Sequence, residues 1–149
     1  MNMSFWKDEL ADVRTNKKKF LDTMNLLVPW KEWVEIVKPV YPKGERGNKP
    51  YDLILMLRIF VLQNLYDMAD MKTMDEIADS RAFGEFCMIE SSNQIPNGDT
   101  IGLFRNLLEK NGLQVKFFEN IRTILEAKGL ILKKGTIIDS TISTIINKE

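Results

Sequence analysis

Histidine is absent from these 149 residues, and there is a single cysteine, Cys87. Without histidine the chain can build neither an imidazole triad nor a histidine-ligated metal site. A lone thiol excludes an internal disulfide framework and a zinc finger. Any metal site must rest on carboxylates, and any general base must be Asp, Glu or Lys. Charge of one sign is also missing: 21 Lys/Arg balance 21 Asp/Glu. The whole protein therefore offers no argument from excess basic charge. Long hydrophobic runs are lacking as well. The longest, residues 53–62, is broken by Arg58 and is far too short for a membrane span. Lys7, Asp8 and Glu9 near the start argue against a signal peptide. The reading is a cytoplasmic protein with no membrane partner. What is present, 44% hydrophobic and 28% charged residues, suits one globular domain with a real core.

The balanced charge is unevenly spread. Residues 1–50 hold ten Lys/Arg and seven Asp/Glu, residues 51–100 hold three and nine, and residues 101–149 hold eight and five. Folded together, the two basic ends could form one positive face, the alternative being ordinary surface charge. Apolar spacing predicts helices over 5–27, 30–37, 51–66, 70–78, 80–87, 99–110 and 116–128. Asp52 and Ser80 are the expected N-caps, and Asn111-Gly112 and Gly129 the expected stops. The 51–66 segment is apolar nearly all round, with only Arg58, Gln63 and Asn64 polar between Leu53 and Leu65, so it should be the central helix. From Gly135 the texture turns β-branched, and one or two strands are expected. The fold class is thus mainly α: a multi-helix bundle with a helix-turn-helix-like element, then one or two C-terminal strands.

Three places could carry chemistry. The connector 42–50 has two glycines, two prolines and the basic residues Lys43, Arg46 and Lys49. Glycine lets a main chain approach a phosphate backbone and Lys/Arg supply charge, although a plain connector looks the same. The helix at 99–110 carries Arg105, Asn106 and Lys110 off its apolar face. Arginine and asparagine are the types that read guanine and adenine edges in the major groove; a solvated surface helix is the plainer reading. Asp139 is the only carboxylate between Glu126 and Glu149 and sits in the β-branched stretch. A carboxylate on a rigid strand could bind Mg²⁺, or could simply lie on a polar strand face, and one ligand alone does not make a site.

Four ordered stretches carry a resemblance. They are Pro39-Val40-Tyr41-Pro42-Lys43-Gly44 with Arg46-Gly47-Asn48-Lys49-Pro50-Tyr51; Met56-Leu57-Arg58 with Leu62-Gln63-Asn64-Leu65-Tyr66; Ile95-Pro96, Thr100 and Phe104-Arg105-Asn106-Leu107-Leu108-Glu109-Lys110-Asn111-Gly112-Leu113; and Gly135-Thr136-Ile137-Ile138-Asp139-Ser140-Thr141-Ile142. Together they resemble the N-terminal part of bacterial insertion-sequence transposases of the DDE type, in the InsH-like (IS-five) group. The resemblance implies a helical DNA-binding region over residues 1–133. Residues 134–149 would then be the start of an RNase H-like catalytic domain. Asp139 maps onto the first carboxylate of an Asp-Asp-Glu triad that holds two Mg²⁺ ions in full-length relatives. The second Asp and the Glu have no counterpart in these residues. Asn97 also departs from the acidic residue the family usually places after the third motif's proline.

The expectation is therefore a truncated transposase that binds element ends as DNA partner but does not cut them alone, with no tightly held Mg²⁺. Its other possible partners are itself or a full-length transposase. The alternative is a stand-alone regulatory or interaction protein that competes with the full enzyme at its sites.

Overall fold

A computed structural model describes residues 15–44, 49–133, 136–139 and 145–147, with side chains described through residue 130. Seven α-helices make up most of it: α1 Asn16–Leu27, α2 Trp30–Val37, α3 Leu53–Tyr66, α4 Asp70–Asp79, α5 Arg81–Phe86, α6 Gly98–Lys110 and α7 Leu113–Ala127. The protein is mainly helical. Past α7 the backbone of β1 (Leu130–Lys133), β2 (Thr136–Asp139) and β3 (Ile145–Asn147) pairs antiparallel in the order β1-β2-β3. No helix among the described residues is long and apolar enough to cross a membrane.

Local chemistry sets the helix limits. Asp52 caps α3 by accepting from the Ile54 N–H, and Ser80 caps α5 by accepting from the Phe83 N–H at 3.2 Å. Ser80 also ends α4, so one residue joins the two helices. Asn97 caps α6 by accepting from the Thr100 N–H at 2.8 Å. An oxygen at each cap satisfies a first-turn donor that has no partner within its helix. Gly112 and Gly129 have positive φ of 69° and 74°. That left-handed backbone suits glycine and sets off both ends of α7.

One expectation fails here. A single helix over 5–27 is not formed, because Thr15 is extended and caps a new helix at Asn16, accepting from the Lys18 N–H. The earlier part of that prediction lies outside the described residues.

The core is built around α3. Leu57, Ile59, Phe60, Val61, Leu62 and Leu65 are all buried there. Trp33 of α2 stacks on Phe117 of α7 with centroids 4.2 Å apart, and Phe60 meets the same ring edge-on at 6.4 Å. Each such side chain, fully buried, contributes roughly 1.5–3 kcal/mol. Phe117, Ile121 and Leu125 show that α7 closes one side of this core.

Two half-buried polar residues beside the core, Asn25 and Arg58, are tied to each other and to Trp30. Arg58 donates from Nε to the Asn25 side-chain oxygen at 3.2 Å and lies over the Trp30 ring at 5.1 Å. Trp30 donates to the Asn25 backbone oxygen at 2.9 Å. Cys87 is buried, which pushes its thiol up to about 12; the nearby Arg58 charge only partly opposes this. At neutral pH it is an inert thiol.

Candidate nucleic-acid interface

The basic connector leaves the body at Tyr41 and returns at Tyr51. The Tyr41 hydroxyl donates to the Tyr51 carbonyl oxygen and so fastens the two ends together. Burial, followed by the charge of Asp52, pushes this phenol up to about 12, so it remains a donor at neutral pH. The Tyr41 ring packs edge-on against Phe104 of α6, at 5.9 Å and 83°. Phe104 immediately precedes Arg105. The mouth of the connector is therefore mounted on α6. Lys43 and Lys49 are exposed on either side of residues 45–48. Arg46 lies outside the described residues.

Along α6, Asn106 and Lys110 are exposed. Arg105 is different, because a carboxylate already holds it. Its Nε donates to Asp70 Oδ1 at 3.1 Å and its Nη2 to Asp70 Oδ2 at 2.9 Å. Gln63 of α3 is buried and donates to Asp70 Oδ1 at 2.8 Å and to the Met68 carbonyl at 3.3 Å. The Arg105 guanidinium beside Asp70 holds that carboxyl below its usual range, and Gln63 adds to the effect against the cost of burial. The same pair raises the guanidinium further. Charge-assisted side-on pairs of this kind fix direction as well as adding energy.

Two glycines let α6 lie this close to the start of α4. A Cβ on Gly98 would stand 2.1 Å from Met71 Sδ, and one on Gly102 would stand 2.7 Å from Asp70 Oδ2. A shallow groove follows, lined by Asp70, Met71, Gly98, Gly102, Leu103 and Asn106. Met71 and Leu103 are exposed on its rim.

Not every basic residue faces out. Lys17 sits 4.7 Å over the Phe83 ring. Lys18 pairs with Asp22 at 2.8 Å and with Glu85 at 3.3 Å, bridging α1 to α5. Two of the three lysines at 17–19 thus serve packing, while Lys19 is exposed.

The connector 87–97 between α5 and α6 includes a 3₁₀ turn, Ser92–Gln94. It is longer than the roughly three- or four-residue turn of a helix-turn-helix. The backbone of Asp139 ends β2 opposite Leu130. Among the described residues no group of three His, Cys, Asp or Glu could hold a metal ion. Asp139 alone does not fit a two-metal centre, and no chemical step through Mg²⁺ follows from these residues.

Sequence reading picked out Arg105 but missed Asp70 and Gln63. The available signals were a lone glutamine on an apolar helix and two glycines four residues apart at 98 and 102. No solved structure gives a significant match. The sequence profile of the family described as "Transposase domain (DUF772)" matches residues 8–107. That stretch holds α1 to α5 and most of α6, with the connector and Arg105 inside it. The chain therefore belongs to this transposase-domain family.

Proposed function

We propose that this chain is the DNA-binding N-terminal region of an insertion-sequence transposase of the DDE type, in the InsH-like (IS-five) group. It engages the terminal inverted repeats of its element through two segments. Lys43, Arg46 and Lys49 of the connector neutralise phosphates, while Arg105, Asn106 and Lys110 of α6 face a groove of the duplex, with α6 as the recognition helix. The observation that carries this reading is the Tyr41–Phe104 contact, which mounts the base of the connector on α6. Two chemically suitable segments far apart in sequence thereby share one support. Asp139 belongs, on the same reading, to the first strand of an RNase H-like domain, as one of three Mg²⁺ ligands. The role assigned to the residues of the connector and α6 is end recognition.

A gel shift with a duplex carrying the element's terminal repeat tests the reading, run at about 50 and 200 mM salt. Binding should weaken steeply with salt. Replacing Lys43, Arg46 and Lys49 together by alanine should flatten the log–log salt slope by about 2–3, since each phosphate contact contributes about 0.9. The absence of a complex, or one indifferent to salt, would sink the proposal.

A further inference from the structure

We infer that Asp70 is a positioning residue for base recognition: it clamps the Arg105 guanidinium side-on, and this sets Arg105 to read one guanine. The inference rests on the DNA-binding reading above and adds to it a specific base and the residue that enforces the choice.

The geometry decides which donors remain. A guanidinium has five N–H groups. Asp70 takes one from Nε and one from Nη2, at 3.1 and 2.9 Å. The end of the fork, Nη1 and the second N–H of Nη2, is not used by that pair. Those two parallel donors match the O6 and N7 acceptors that guanine alone offers together in the major groove. An adenine there would set its N6 amino group against a donor. The pair is also positioned to face outward: the Arg105 side chain is 36% exposed and that of Asp70 23%.

Asp70 is itself fixed. Gln63 is 7% exposed and anchors one carboxylate oxygen from inside the core. The close approach at Gly102 confines the other. An arginine held in this way has already lost most of its rotamer freedom before DNA arrives. The entropy that a free arginine would lose on binding is then not charged against base discrimination. A free surface arginine would serve any phosphate within reach; a clamped one presents its fork in one direction.

The test is selection from a pool of duplexes with a randomised core, using the full chain at fixed salt, followed by sequencing. The wild type should enrich sites with a guanine at one position. Asp70→Asn removes the charge but keeps the shape. It should lower the guanine preference at that position alone by roughly tenfold, within the range of one bidentate base contact. Binding to the unselected pool should hold or strengthen, because the released guanidinium can reach a phosphate. Arg105→Lys keeps the charge without the fork and should lose the same preference. Gln63→Met should shift it in the same direction by less. Replacing the selected guanine by 7-deazaguanine should weaken the wild type and leave Arg105→Lys unaffected, a readout that does not depend on Asp70→Asn folding.

A merely structural Asp70 would instead weaken binding to all sequences alike, with the guanine preference intact, which would overturn the inference. So would an unchanged preference in Arg105→Lys. If the wild type enriched nothing and bound no duplex, the DNA-binding reading itself would have failed.

Discussion

Asp70 accepts three hydrogen bonds, two from Arg105 and one from Gln63. Its pKa is correspondingly lowered, the Arg105 hydrogen bonds being the largest cause. A carboxyl whose pKa falls on folding adds stability above its unfolded value, about 4, and loses it as pH drops through the folded value. The unfolding midpoints of the wild type and Asp70→Asn in urea should therefore differ at pH 6–7. The difference should start to shrink as the pH falls below roughly 4 and vanish only below the lowered folded value, where the carboxyl is neutral in both states. A gap that persists unchanged into acid would mean that the carboxylate charge contributes nothing to the fold. Arg105 keeps its charge throughout this window, so the trend belongs to Asp70.

At the scale of elements, the approach of α6 to α4 is set by glycine. Alanine at 102 should gain up to about 1 kcal/mol of helix propensity. Its Cβ must also displace Asp70 from Arg105, and overpacking of this kind costs about 1–3 kcal/mol. The net expectation for Gly102→Ala is destabilisation of about 1 kcal/mol, with loss of the acid-sensitive component described above. Gly84→Ala is the matched control, because the nearest atom to its Cβ is the Ile77 carbonyl oxygen at 3.8 Å. It should be neutral or slightly stabilising in the same urea titration.

Most element limits were legible because their causes are local. Asp52 and Ser80 act as caps where their side chains meet first-turn N–H groups, and the apolar surface of 53–62, interrupted only by Arg58, marks α3 as central. The start of α1 was missed because apolar spacing runs past Thr15, whose side chain caps a fresh helix there. The start of α7 was set too late, at 116. Gly112 turns left-handed and lets Leu113 begin the next helix at once. The site was half legible for the same reason. A basic residue off the apolar face of a helix can be seen in sequence. Its partner in an ion pair 35 positions away leaves no local pattern.

The whole molecule holds together across a longer span than the matched segment. Residues 8–107 define the family, yet Phe117, Ile121 and Leu125 of α7 complete the core. A chain ending at Gly112 would leave Trp33 without its stacking partner and Phe60 without its edge contact. Such a chain should lose the single cooperative transition of the full chain and bind an apolar dye such as ANS, as a loosely packed state does. A sharp transition at unchanged temperature, read by tryptophan fluorescence, would show that α7 is dispensable.

The Trp33–Phe117 stack also orders events during synthesis. Trp33 emerges from the ribosome long before Phe117 exists, so the tryptophan-rich face of α2 has no permanent cover while the intervening helices are being made. Chains grow at roughly 5–20 residues per second, which leaves that face open for seconds rather than microseconds. For that interval the nascent chain presents a sticky apolar surface, and chaperones or a second nascent copy are its natural competitors until the last helix arrives.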